Sequence, residues 1–295
     1  MSPDLSYFLQ QSINGISVGS IYALITIGYS MVYGLLYMIN FTHGDLYVFG
    51  TFLVFSLLTT GMPPVFACLL GALGAAAMGV MIERFAYRPV RAAHRNMPFI
   101  SALGVAAIIK TVSQAIWGPE NYSFASLLPN GMLEVGGVLI YTKAVAALGI
   151  TVAVALFMVI LLKCTKFGMA SRFIQQDINT ASLVGINTNF IIPLIYALGG
   201  ALGVLGGVVY SSYYNMIGIE MGMVGTIKAW AVVTLAGPGS FIGAFVGGIL
   251  LGWVESMTGA YLSNSMREAF GYIFIVIVLM FRPYGLFGFK KAEKV

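Results

Sequence analysis

Residues 190–213 form the stretch that decides the fold, and they run FIIPLIYALGGALGVLGGVVYSSY without one Asp, Glu, Lys or Arg. A helix rises by about 1.5 Å per residue, so about 20 apolar residues cross the roughly 30 Å hydrocarbon layer of a bilayer. Glycine recurs in the stretch and supplies 36 residues of the chain, and small residues let membrane helices approach closely. The stretch therefore predicts a transmembrane helix that packs against others.

Further apolar runs lie on both sides of that stretch. The other long runs are 10–36, 98–117 and 143–163. The shorter runs are 46–60, 65–83, 224–236, 241–254 and 268–281. Charged residues make up 8% of the chain, against roughly 25% in a soluble domain. The sequence thus excludes soluble classes. It predicts an all-α polytopic membrane protein of about eight or nine transmembrane or half-membrane helices, in a single domain over residues 1–295.

The basic residues indicate the orientation, because cytoplasmic loops of membrane proteins carry an excess of Lys and Arg. Three hydrophilic breaks hold most of the cations: Arg84, Arg88, Arg91 and Arg95; Lys163, Lys166 and Arg172; Arg282, Lys290, Lys291 and Lys294. The acid-leaning segments 118–142 and 214–223 are then external, and so is Glu255 at the end of its apolar run. We expect the N-terminus outside and the C-terminus inside. Because the cations lie in short breaks rather than on one face, nucleic acid is not an expected partner.

Two polar interruptions fall within apolar surroundings, at residues 40–45 and 237–240. Non-helical backbone at membrane depth survives only where protein or a water-filled cavity covers it. Both are therefore predicted helix breaks that line a transport pathway, the second as a pair of half-helices that meet there. The candidate pathway residues are Asn40, His43, Asp45, Gly237, Gly239 and Ser240. The two halves of the chain begin on opposite sides of the membrane, as inverted repeats would.

Individual charges near the first break allow more than one interpretation. His43 and Asp45 either line a hydrated transport route or form a polar contact that joins two helices, in which Asp45 caps a helix that begins at Leu46. We favour the cap. Lys110 lies inside an apolar run. It lines the pore, extends outward to the headgroups or pairs with an external acid.

Residues 168–187 follow the second basic break and are amphipathic. Apolar side chains recur at helical spacing on one face and call for a partner: Phe173, Ile174, Ile178, Ala181 and Val184. Gly185 is placed as a helix C-cap. A cytosolic helix of this kind docks into a groove on another protein or rests on lipid headgroups, and the pattern alone does not distinguish the two.

Four ordered motifs now carry a resemblance. They are NFTHGD at 40–45, ERFAYRPVR at 83–91, the amphipathic segment 168–187, and GPGSFIGAFVGGILLG at 237–252. Together, from about Tyr7 to Val295, the chain resembles the LivH-type permease subunits of bacterial high-affinity branched-chain amino-acid ABC transporters. The resemblance implies a multi-pass protein of the bacterial inner membrane that carries leucine, isoleucine and valine. Other amino acids, urea or small amides are the alternative cargo.

The resemblance also implies partners and coupling residues. The partners are a sister permease subunit, two cytosolic ATPase subunits and a periplasmic or lipid-anchored solute-binding protein. Residues 168–187 look like the cytoplasmic coupling helix that contacts an ATPase, with Gly168, Arg172, Asp177, Ala181 and Gly185 matching the pattern. Gln176 departs from it, since an acidic residue is expected there, and so do Ala236, Pro238 and Ile242 around the second break.

The chain lacks the motifs that would make it an enzyme. No phosphate-binding G-x-x-x-x-G-K-S/T motif occurs, so ATP is bound by partner subunits. No His, Cys and Glu cluster has metal-ligand spacing, and no cofactor is expected in this chain. The competing hypothesis is an ion-coupled secondary transporter that uses His43 and Asp45. The Arg84–Arg95 loop is expected to contact anionic membrane lipid, with contact to an ATPase as the alternative.

Overall fold

The computed structural model describes residues 3–36, 40–90 and 97–288. Its helices in chain order are α1 (Pro3–Leu36), α2 (Thr42–Thr59), α3 (Pro64–Ile82), α4 (Met97–Trp117), α5 (Thr142–Cys164), α6 (Lys166–Gln176), α7 (Ile178–Leu183), α8 (Thr188–Tyr214), α9 (Met221–Ala236), α10 (Phe241–Tyr261) and α11 (Arg267–Phe281). A π-helix, Glu83–Tyr87, extends α3, and a 3₁₀ turn, Asn264–Met266, precedes α11.

The helices have the lengths that a bilayer requires. Within the described residues, seven are long and apolar enough to cross a membrane by length and composition: α1, α3 with its π-helix, α4, α5, α8, α10 and α11 with its 3₁₀ turn. Helix α2 adds 18 residues and α9 adds 16. The predicted all-α polytopic membrane fold is confirmed, with nine spanning or part-spanning helices in the described part of the chain.

Helix α1 is the enclosed centre of the bundle, and glycines bring α10 against it. A β-carbon added to Gly15 would lie 2.7 Å from the Cα of Trp253, and one added to Gly19 would lie 2.6 Å from the Cα of Ile249. Gly248 and Gly252 meet the same stretch of α1 from the other side. Because lipid tails are as apolar as the side chains, such close backbone packing is what holds membrane helices together.

Helix α8 is the second central helix, and it packs on α1, α2 and α3. A β-carbon at Gly203 would come within 2.8 Å of the Tyr47 Cβ, and one at Gly79 within 2.7 Å of the Tyr196 carbonyl oxygen. Helices α3, α4, α5 and α11 form the periphery and expose apolar side chains such as Leu73 and Met280. Their exposed faces suit the lipid hydrocarbon.

Short strands cover one end of the bundle. Strand β1 (Tyr122–Ser123) pairs with β4 (Met216–Ile217), and β2 (Met132–Val135) pairs antiparallel with β3 (Val138–Tyr141). The Gln10 side chain donates to the Leu139 carbonyl at 2.9 Å and accepts from its amide at 2.8 Å. The start of α1 therefore lies at the same end as the two segments predicted to be external.

The basic breaks meet at the opposite end. Ser101 at the start of α4 donates to the Ala86 carbonyl at 2.9 Å, and Gln175 of α6 donates to the Gly34 carbonyl at 2.7 Å. The Leu286 amide donates to the Leu235 carbonyl at 2.8 Å. By the positive-inside rule we call this end the cytoplasmic end, and the orientation in the membrane stays a prediction. Five predicted cytoplasmic cations lie outside the described residues: Arg91, Arg95, Lys290, Lys291 and Lys294.

The first break ends earlier in the chain than predicted. Helix α2 begins at Thr42, so His43 and Asp45 lie in its first turn, and the prediction that Asp45 caps a helix beginning at Leu46 was wrong. Tertiary contacts extend the helix through the polar residues: Thr42 donates to the Ala102 carbonyl at 3.1 Å. A β-carbon at Gly44 would overlap with α9.

The second break lies where it was predicted, between Ala236 and Phe241. Gly237 has a φ of +94° and Gly239 a φ of +82°, which glycine adopts without the strain that a side chain would cause. Ser240 caps α10 by accepting from the Gly243 amide at 3.0 Å. The predicted pair of half-helices was wrong for the second member. Helix α9 is short, with 16 residues, but α10 has 21 residues. The inverted-repeat relation stays a prediction.

Candidate functional sites

One group of charged side chains is exposed on the outer surface of the helix bundle. The Lys110 ammonium of α4 lies 2.8 Å from the Glu220 carboxylate, just before α9, and the Lys110 and Glu220 side chains are 34% and 72% exposed. Asp45, half-buried in the first turn of α2, is within electrostatic range of both. We call Asp45, Lys110 and Glu220 the open charge cluster. Of the three alternatives for Lys110, pairing with an acid is the one observed.

A second group of charges is closed. The Lys228 ammonium of α9 bonds to the Glu255 carboxylate of α10, and the two side chains are 2% and 1% exposed. Tyr22 donates to Glu255 at 3.0 Å, and the Arg267 Nε lies 3.6 Å from it. The prediction that Glu255 lies at the external surface was wrong, because α10 continues to Tyr261 and keeps Glu255 inside the bundle. This closed pair holds α9 against α10.

Helix α9 shows one face to the outside. Met223 is 61% exposed and Trp230 40%, and Ile227 between them is partly exposed. Met223, Ile227 and Trp230 repeat at helical spacing, Val224 beside them is 43% exposed, and most other α9 positions are buried against α1, α2, α10 and α11. The exposed stripe begins at Met223, about one turn after Glu220, and runs along α9 in the direction of the second break.

The predicted pathway residues of the first break lie in two environments. Asn40 is buried and accepts from the Tyr87 hydroxyl at 3.0 Å. His43 is also buried, with its ring centroid 5.6 Å from that of Tyr29. Of the first-break candidates, Asp45 is the one that reaches the open charge cluster.

The predicted pathway residues of the second break lie at the cytoplasmic end of the bundle. A β-carbon at Gly237 would lie 2.6 Å from the Gly288 amide, and one at Gly239 would lie 3.1 Å from the Gly34 carbonyl oxygen. Ser240 serves as the α10 cap. This geometry joins the break to α1 and to the segment that follows α11, so it can transmit movement between them. A role in the pathway stays a prediction for these three residues.

The segment 168–187 is two helices rather than the single helix predicted. Helix α6 ends at Gln176, and Asp177 starts α7 by accepting from the amides of Asn179 at 2.7 Å and Thr180 at 3.1 Å. Aspartate is a preferred N-cap residue, because its carboxylate satisfies amides that the first helical turn leaves unpaired. The bend at Asp177 places α6 and α7 at an angle. We call α6, α7 and Gly185 the coupling segment.

Several predicted coupling residues shape this segment from within. A β-carbon at Gly168 would overlap with the Leu162 backbone, and Arg172 donates to the Leu162 carbonyl. Ala181 is buried against the bundle, and Gly185 follows α7 with a φ of +84°. The predicted apolar face is divided, since Ile174 and Ala181 point into the protein.

Other side chains of the coupling segment are exposed on the cytoplasmic side. Leu183 is 85% exposed, Val184 63% and Phe173 44%. The helical periodicity over 168–187 missed Leu183, because the bend at Asp177 changes which positions share a face. Within the described residues nothing in the chain covers these three apolar side chains, which we call the apolar patch.

The sequence of this chain matches a known protein family. Residues 11–281 match the family described as branched-chain amino acid transport system / permease component. The chain belongs to this family.

Named relatives of the permease match it from end to end. The high-affinity branched-chain amino acid transport system permease protein LivH of Escherichia coli K12 is 35% identical, with 100% of both chains covered. The corresponding protein BraD of Pseudomonas aeruginosa is 34% identical over 99% of this chain and 100% of its own. The probable LivH permease of Methanocaldococcus jannaschii is 24% identical over 92% and 90%.

The permease also has a basic pocket at its cytoplasmic end. Arg84 and Arg88 of the extended α3 line a cavity of about 270 Å³ together with Asn189, Phe190 and Pro193 at the start of α8. The two guanidinium groups are exposed, while Glu83 beside them is buried. This pocket lies where the sequence predicts contact with lipid headgroups or with an ATPase, and the choice between them stays a prediction.

Proposed function

We propose that this chain is the permease subunit of an ABC importer that moves branched-chain amino acids across the bacterial inner membrane. It would act as a single transmembrane domain, powered by separate ATPase subunits. The full-length identity to LivH and BraD supports the cargo, because both are named as branched-chain amino acid permeases. The chain has no phosphate-binding loop of its own, so hydrolysis would take place in the partners.

The coupling segment is the observation that carries this proposal. It lies at the cytoplasmic end and exposes Leu183, Val184 and Phe173 there. An amphipathic helix that lays apolar side chains into a groove is a common docking mode between proteins. An ATPase groove would cover the patch and shield it from water.

The anchors of the coupling segment give it a mechanical role. Gln175 donates to the Gly34 carbonyl at the end of α1, and Arg172 donates to the Leu162 carbonyl near the end of α5. A force applied at α7 therefore reaches α1 and α5 through short contacts. In the proposed cycle, closure of the ATP-bound subunits moves the coupling segment and turns the permease pair from inward-facing to outward-facing.

The partners follow from the same proposal. A sister permease would cover the exposed α9 stripe and the open charge cluster, because charges at membrane depth avoid lipid. Two cytosolic ATPases would bind the two coupling segments, and a periplasmic or lipid-anchored binding protein would deliver the amino acid. Arg84 and Arg88 would contact anionic headgroups at the cytoplasmic surface.

Replacement of one exposed apolar side chain tests the docking step. Leu183→Asp should reduce the ATPase that co-purifies with the permease by about tenfold, since an apolar interface anchor becomes a buried, unpaired charge. The matched control is Leu133→Asp, which changes a 54% exposed leucine on the external hairpin and should leave the complex intact. Equal retention by both variants would contradict the proposed role of the coupling segment.

The cargo is tested separately with the assembled transporter. Uptake of leucine, isoleucine and valine into vesicles should require ATP, and excess urea or acetamide should not compete. Uptake of urea or an amide in preference to leucine would indicate the alternative cargo. Uptake driven by an ion gradient without ATP would indicate a secondary transporter.

A further inference from the structure

The open charge cluster includes a lysine that lies within a membrane-spanning helix. Lys110 is seven residues short of Trp117, where α4 ends, which places it about 10 Å below that end at 1.5 Å per residue. A charged side chain at the centre of a bilayer costs about 2.5–3.5 kcal/mol on insertion scales, so such groups face a partner or water. The open side of the cluster therefore does not face lipid tails.

The closed pair provides the comparison. Lys228 and Glu255 also lie within helices of the bundle, but they are almost wholly enclosed and satisfied by Tyr22 and Arg267. An ion pair that serves only to join helices takes this form. The side chains of the Lys110–Glu220 pair are accessible, and a second carboxylate, Asp45, follows Gly44, which packs against Gly222 of α9. The cluster therefore offers one cation and two anions to an outside ligand.

This charge pattern matches the two ends of an amino-acid zwitterion. The ligand carboxylate can pair with Lys110, while the ligand ammonium pairs with Asp45 or Glu220, so each charged end of the ligand gains a partner of opposite sign. The exposed α9 stripe begins with Met223, one turn after Glu220, and offers apolar surface to an aliphatic side chain.

We propose that Asp45, Lys110 and Glu220 form a transient binding site for the ammonium and carboxylate groups of an α-amino acid in the transport route. The inference rests on the proposed function and adds where the cargo is held as it crosses. The sister subunit would close the site from its open side. Recognition of the charged ends here leaves the choice of side chain to the apolar stripe and to the binding protein.

The test replaces the pair by neutral residues in the complete transporter, in vesicles supplied with ATP and leucine-loaded binding protein. Lys110→Met with Glu220→Gln should lower leucine uptake by at least about tenfold, because the ligand's charged groups lose their partners. ATP hydrolysis and the amount of assembled complex should stay within about twofold of the unmodified protein, because both members of the Lys110–Glu220 ion pair are removed together.

The matched control neutralises the closed pair, as Lys228→Met with Glu255→Gln, and should keep uptake within about twofold for the same reason. Normal uptake by the Lys110/Glu220 double variant would overturn the binding site. Loss of assembly together with uptake would also overturn it and would indicate an ion pair that joins subunits. If the unmodified transporter carries urea or amides instead of amino acids, the proposed function fails first, and the site fails with it.

Discussion

The charged side chains inside the bundle occur as two ion pairs that differ in accessibility. Lys228 and Glu255 are enclosed, whereas Lys110 and Glu220 are open. Enclosure makes the first pair sensitive to the loss of one member, because a buried charge without a partner is costly, while loss of both members together is tolerated. The open pair can exchange partners with a ligand.

The closed pair yields a prediction at this scale. Glu255→Gln alone leaves the Lys228 ammonium buried with Glu268, whose carboxylate lies 3.8 Å away. This change should lower the free energy of unfolding by about 3 kcal/mol, and the double variant with Lys228→Met should recover most of the loss. Thermal unfolding of the purified permease in detergent measures both. A double variant as unstable as the single one would show that the pair does not act as a unit.

Residue-level reasoning from sequence reached part of this arrangement. Asp45 and Lys110 could be singled out, because isolated charges in apolar runs are expensive. Their partner Glu220 could not, since the pairing joins residues far apart in the chain and depends on how α2, α4 and α9 pack. Lys228, alone in its apolar run, carried the same signal as Lys110 and was missed.

At the scale of elements, the cytoplasmic segment and the second break both contact the end of α1 near Gly34. The bend at Asp177 divides the segment into α6, which is anchored to α1 and α5, and α7, which presents Leu183. Gly237 and Gly239 let the second break pass close to α1 and to the segment after α11. Both features lie at the same end of the bundle.

The helix cap at the bend gives the prediction for this scale. Asp177→Ala should destabilise α7 by about 1 kcal/mol and reduce ATPase retention, whereas Asp177→Asn should behave like the unmodified protein, because asparagine also caps helices. Co-purification of the ATPase with each variant measures the effect. If Asp177→Asn and Asp177→Ala lost the ATPase equally, the negative charge rather than the cap would be the important property.

Helix boundaries were predictable where the apolar runs are long. They were missed where contacts with other helices determine the position at which a helix begins or ends. The runs at 98–117 and 143–163 agree closely with α4 and α5. Helix α2 starts earlier than its apolar run, because Thr42 and Gly44 fit against α4 and α9. The bend at Asp177 interrupts a continuous amphipathic pattern. Periodicity alone therefore predicted one apolar face over residues 168–187, where the structure has two helices.

At the scale of the whole molecule, the sidedness of the chain determines which surfaces can meet which partners. The three basic breaks gather at one end, and the β2–β3 hairpin and the start of α1 gather at the other. The division of the chain into two ends was predictable because it follows charge counts along the chain, and the orientation in the membrane stays a prediction. The mutual placement of α1, α8 and α10 was not, since glycine contacts between distant helices set it.

Labelling of single cysteines tests the sidedness. In a background with Cys68→Ser and Cys164→Ser, Leu133→Cys should react with a membrane-impermeant maleimide in right-side-out vesicles. Leu183→Cys should react only in inverted vesicles, because the coupling segment lies on the cytoplasmic side. Both side chains are exposed, so access to the reagent is the variable that differs. Labelling of Leu183→Cys in right-side-out vesicles would show that the orientation is the reverse of the predicted one.

The central claim is that this permease has no energy source of its own and receives it through the coupling segment. The direct measurement is leucine accumulation in vesicles that contain the permease pair with or without the ATPases, in the presence of ATP and binding protein. We predict accumulation against a gradient only when the ATPases are present and ATP is hydrolysed. Accumulation by vesicles that contain this chain without any ATPase would contradict the account.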